Sequence, residues 1–72
     1  MSELEQITYY IQFIDKVDGI ERVRAESKNI KTLLSTYTHY FPSEECQLNL
    51  LNQAQQLSKT SQHVILQCLI QY

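Results

Sequence analysis

Four side chains in this sequence could bind a metal or act as a nucleophile: His39, Cys46, His63 and Cys68. Zinc sites are built from half-sites that each present two donors at short sequence spacing. The closest pair here, His63 and Cys68, is five positions apart, and on a helix the two would point in different directions. There is no CxxC and no HxxxH. No metal ligands are therefore assigned. The expected roles are bland: Cys68 as a small core residue, Cys46 near the inner face of its helix, and both histidines at the surface or in satisfied contacts. Two thiols 22 positions apart need closely matched geometry to bridge. With no leader sequence ahead of them, they fit a reducing compartment, so both are expected to be structural and unlinked.

Nucleophilic catalysis needs an activated thiolate and a general base. Cys46 falls in the first turn of a helix expected after Pro42, a position that favours negative charge, but Glu44 and Glu45 beside it oppose that. A chain with one glycine has no glycine-rich loop for an oxyanion hole. No catalytic residue, cofactor site or enzymatic activity is assigned.

A third group is basic. Arg24, Lys28 and Lys31 follow i, i+4, i+7 spacing and would form a ridge along a helix, within about 60° on the wheel. Such a ridge suits an acidic protein surface or nucleic-acid phosphates, although Glu21 and Glu26 dilute its field. A net charge of −2 argues against non-specific nucleic-acid binding, which depends on neutralising phosphates. A helix-turn-helix placed at the C-terminal end would have a recognition helix of Val64, Ile65, Leu66, Leu69 and Ile70 without Arg or Lys, which reads as core.

The elements that must position these residues read as helices. One glycine and one proline leave little room for hairpin turns. Ser2-Glu3-Leu4-Glu5 has the form of a capping box, and Asp18-Gly19-Ile20-Glu21 repeats it. They frame a first helix over about Ser2–Val17, with Leu4, Ile7, Ile11 and Ile14 on one stripe. A second helix is expected from Asp18 to Tyr40, along Ile20, Val23, Ile30 and Leu34; the competing reading breaks it near Ser27-Lys28-Asn29, three mediocre helix formers, with Ser27 as a cap. Phe41-Pro42-Ser43-Glu44-Glu45 is a stop and restart, with Ser43 as cap and two glutamates matching the new helix dipole. A third helix over about Glu44–Leu57 places Leu50, Leu51, Ala54 and Leu57 inward. Ser58-Lys59-Thr60-Ser61 interrupts it, and Thr60 caps a fourth helix ending at Tyr72. The competing reading is one continuous helix from Ser43 onward.

Residues 46–72 hold seven glutamines and thirteen apolar residues but only one charged side chain, Lys59. Interface cores are depleted in charge, whereas amides satisfy neighbours without ion desolvation. An arc of Ile65, Leu66, Cys68, Leu69, Ile70 and Tyr72 is too wide for one buried helix face, and Tyr9 and Phe13 lie off the first helix's stripe.

Together these features predict an all-α fold: a single domain, residues 1–72, as a three- to four-helix bundle that forms a homodimer. The function expected is stoichiometric protein–protein binding by a non-enzymatic adaptor, inhibitor or chaperone-like accessory protein of the kind carried by phages and plasmids. The candidate protein-binding residues are Tyr9, Phe13, Leu66, Ile70 and Tyr72. The alternative is a small transcription or nucleoid regulator that contacts DNA, or a DNA-bound protein, through Arg24, Lys28 and Lys31. No cofactor is expected. With no long apolar run there is no membrane span, and the expected location is the cytoplasm.

Overall fold

A computed structural model describes residues 6–71. The protein is α+β rather than all-α: a three-stranded mixed sheet with two helices, which overturns the helical bundle. The capping box at Ser2–Glu5 and the C-terminal Tyr72 lie outside the described residues.

The segment expected as the first helix is strand β1, Thr8–Asp15. It is rich in β-branched and aromatic residues, which suit a pleated surface. Its Ile11 and Phe13 are fully buried on one face, while Tyr10, Gln12 and Ile14 face the other way and stay half-buried. Apolar residues on both faces of a strand leave matches at helical spacing too, which is why Ile7, Ile11 and Ile14 imitate a stripe.

Asp18-Gly19 is a hairpin turn and not a helix cap. Gly19 takes φ +72°, a left-handed conformation that favours glycine, and Asp-Gly is a strong hairpin signal. The Gly19 N–H donates to the Asp15 carbonyl at 2.8 Å, and the Asp15 N–H to the Ile20 carbonyl at 2.9 Å. Strand β2, Glu21–Ser27, returns antiparallel to β1 with a bulge opposite Phe13 and Ile14. Asp15 is buried, but its carboxylate accepts the Val17 N–H at 2.7 Å and lies 3.5 Å from Arg22 Nη2.

The long second helix expected over Asp18–Tyr40 survives only as helix α1, Ile30–Thr36. Asn29 caps it, its side-chain oxygen accepting the Lys31 and Thr32 N–H groups. A 3-10 turn at Thr38–Tyr40 follows. Helix α2 spans Glu44–Leu57, the bounds its sequence predicts, with Ser43 Oγ accepting the Cys46 N–H. Leu50 and Ala54 are buried and Leu51 half-buried, but Leu57 is exposed.

The chain breaks after α2 as expected, but the next element is strand β3, His63–Ile70, instead of a fourth helix. β3 runs parallel to β1, giving the order β2-β1-β3. The chain therefore leaves the β2 edge, crosses one face of the sheet as α1 and α2, and returns on the far edge. Burial alternates strictly along β3, with Val64, Leu66, Cys68 and Ile70 inward. The wide apolar arc is two faces of a strand.

The core lies between the sheet and the helices. At its centre Phe13 packs against Tyr37, Tyr40 and Phe41, with ring centroids 5.8, 5.1 and 5.3 Å away. Gln47 Nε2 donates to the Leu34 carbonyl at 3.0 Å and ties α2 to α1.

Candidate functional site: the uncovered sheet face and its open edge

Both helices pack on one side of the sheet, so the other side has no covering layer among the described residues. The strand register sets its side chains in rows: Thr8 beside His63, Tyr10 beside Ile65, Gln12 beside Gln67, and Ile14 beside Leu69. On the opposite flank Glu26 pairs with Tyr10 and Arg24 with Gln12. Ile65 and Leu69 are each 58 % exposed. The Tyr10 and His63 rings meet edge to face at 6.3 Å. With Gln12, Arg24 and Ile65 they line a shallow depression of about 380 Å³.

The two edges of the sheet differ. β2 carries Glu21, Arg22, Arg24 and Glu26, so its edge is guarded by charge. Arg24 pairs with Glu21 at 3.3 Å, and Arg22 bonds Asp18. β3 reads His-Val-Ile-Leu-Gln-Cys-Leu-Ile, with no Lys, Arg, Asp, Glu or Pro along its eight residues. Its outer side has no strand partner among the described residues. A long apolar edge with unpaired backbone groups is a template for strand addition.

The residues expected from sequence are redistributed. Phe13, Leu66 and Ile70 belong to the core, at 0, 2 and 5 % exposure, and so are closed to a partner. Tyr9 is half-buried and packs against the same core. Tyr72 lies outside the described residues. Arg24, Lys28 and Lys31 form no helical ridge. Arg24 is on the uncovered face; Lys28 lies between β2 and α1 and donates to Gln6 Oε1 at 3.4 Å. Lys31 lines a separate depression beside Leu34, Glu44 and Leu48 on the helix side.

The ligand candidates also separate. His63 faces the uncovered side, Cys68 the helix side, and His39 is exposed in the 3-10 turn. No cluster of three His, Cys, Asp or Glu side chains able to hold a metal occurs among the described residues. The exception is Cys46 with Cys68, which the fold brings to a sulfur–sulfur distance of 3.8 Å. Both are free thiols, as expected, but they lie far closer than their spacing of 22 positions suggests.

Sequence reasoning passed over Tyr10, and it placed Ile65 and Leu69 in one helical arc with Leu66, Cys68 and Ile70 without separating surface from core. The signal was there: in Val64-Ile65-Leu66-Gln67-Cys68-Leu69-Ile70 a period of two leaves Ile65, Gln67 and Leu69 together. No helix among the described residues is long and apolar enough to cross a membrane. Comparison with protein-family models, curated proteins and solved structures finds no match to the chain.

Proposed function

We propose that the chain works by stoichiometric protein binding, as a dimer whose two copies pair edge to edge through β3. The observation that carries this reading is β3 itself: eight residues, uncharged, at a sheet edge, with Ile65 and Leu69 more than half exposed. A two-fold axis beside β3 would set it antiparallel to its copy. That pairing opposes no like charges, and it joins two three-stranded sheets into one of six strands. Its uncovered face would then double in width, with the Ile65 and Leu69 rows of both copies contiguous at the centre. A partner protein packs on that face. The amide row of Gln12 and Gln67 suits such burial, because neutral side chains are desolvated at lower cost than ions.

Light scattering across a concentration series tests the reading. The native chain should show twice the monomer mass at micromolar concentration. Ile65→Lys, which places on β3 the kind of charge that guards natural edges, should be monomeric. Leu48→Lys alters a leucine of equal exposure on α2 and should leave the dimer intact. A native monomer throughout the series, or a dimer that Ile65→Lys does not weaken, contradicts the proposal.

A further inference from the structure

Cys46 and Cys68 come from different layers of the fold, the first turn of α2 and the helix-facing side of β3. Their sulfurs are 3.8 Å apart, and both are free thiols. A bonded pair sits at about 2.05 Å, so closure needs the two sulfurs to approach by roughly 1.8 Å. Access to the two differs. Cys46 is half-buried, while Cys68 is 2 % exposed. Among the described residues no third metal-binding side chain joins them, so the arrangement is a two-sulfur site.

We propose that Cys46 and Cys68 form an oxidant-responsive pair that closes to an intramolecular disulfide when the protein meets a peroxide. Cys46, the accessible thiol, reacts first. Its sulfur attacks one peroxide oxygen, the O–O bond breaks, and Cys46 becomes a sulfenic acid as one water departs. The Cys68 sulfur then attacks the Cys46 sulfur. The S–O bond breaks, the S–S bond forms, and the leaving hydroxide takes the Cys68 proton as a second water. Two thiols have lost two electrons and two protons, and the peroxide has become two waters. Burial pushes the Cys68 thiol up to about 12, with the adjacent Cys46 adding to the shift. Cys68 is thereby kept protonated and shielded until the sulfenic acid forms beside it. The new bond ties α2 to β3 and closes the loop between residues 46 and 68.

The test treats the reduced full chain with hydrogen peroxide, then denatures and alkylates it. The expected product is a monomer on a non-reducing gel, unlabelled at both cysteines and lighter by about 2 Da, the mass of the two hydrogens lost. Its Tm should rise by roughly 10–25 °C, as loop closure in a domain this small implies, and dithiothreitol should reverse both changes. Cys46→Ser, with no first thiol to oxidise, should retain a Cys68 that labels after denaturation. Oxidation of Cys46 to sulfinic acid while Cys68 still labels would overturn the proposal. So would a disulfide found only between two chains.

Discussion

The Gln67 side-chain amide donates to the Gln12 side-chain oxygen at 3.1 Å, across the ladder between β3 and β1 on the uncovered face. The pair lies between two apolar rows, Tyr10 with Ile65 and Ile14 with Leu69. A solvated sheet face would ordinarily carry charge at these central positions. Here charge is confined to β2, and the remaining two-thirds of the face is amide, aromatic and aliphatic. That distribution accounts for the absence of charge along β3, whose alternate residues face a core on one side and a surface that is also apolar on the other.

Leu66 and Leu69 stand three apart in sequence and on opposite sides of the sheet, and they should respond very differently to substitution. Leu66→Ala removes buried methyl groups and should cost about 2–5 kcal/mol, lowering Tm by ten degrees or more at roughly 4–8 °C per kcal/mol. Leu69→Ala should fall within about 0.5 kcal/mol when measured below the dimerisation range. Urea unfolding of the two variants checks the orientation of β3. Equal losses would mean that the strand is not alternating as described.

At the hairpin, Asp15 should matter more than its ionic partner. Its carboxylate is buried and accepts the Val17 N–H, whereas Arg22 is 39 % exposed and shared with Asp18. Asp15→Ala leaves that amide without its acceptor and should cost about 1–3 kcal/mol. Arg22→Ala removes a surface ion pair and should cost less than about 1 kcal/mol. Chemical denaturation of both variants gives the comparison, and a larger loss for Arg22→Ala would contradict it.

How much of this was legible in the sequence depends on the element. Helix α2 was legible because local signals agree: Pro42 stops the chain, Ser43 caps, Glu44 and Glu45 favour the helix start, and Leu50 and Ala54 face inward. The hairpin was also within reach, since Asp18-Gly19 is a turn signal, but the acidic residue three positions on gave it the form of a capping box. The strands were obscured by their own composition. With Tyr10, Ile14, Ile65 and Leu69 on the uncovered face, neither β1 nor β3 shows a clean alternation of apolar and polar residues, and a helical period fits as well. The interaction surface was hidden for the same reason. Phe13, Leu66 and Ile70 stood out as apolar excess only while they were placed on helices. The approach of Cys46 to Cys68 depends on packing α2 over β3, and no sequence spacing records that.

Alkaline pH should expose the burial of Cys68. Its thiol is raised from 9.0 to about 12, chiefly by desolvation, so the folded state holds a proton that the unfolded chain has released. The stability tied to that proton is fully present below pH 9 and is lost between pH 9 and 12. Cys68→Ala lacks the group, so its stability should decline less steeply through this window. Urea midpoints of reduced native and variant protein at several alkaline pH values provide the measurement. Parallel curves would show that Cys68 titrates alike in both states.

Backbone hydrogen exchange resolved along β3, followed as a function of protein concentration, tests the edge-pairing claim most directly. Strand addition gives partners to the outward N–H groups of His63–Ile70, which face no strand among the described residues of the chain. Protection of those amides should rise with concentration in the native chain, while β2, at the charged edge, should not change. Ile65→Lys should abolish the rise. Protection in β3 that stays constant from dilute to concentrated native protein, or that rises equally in β2, would contradict a dimer built on the β3 edge.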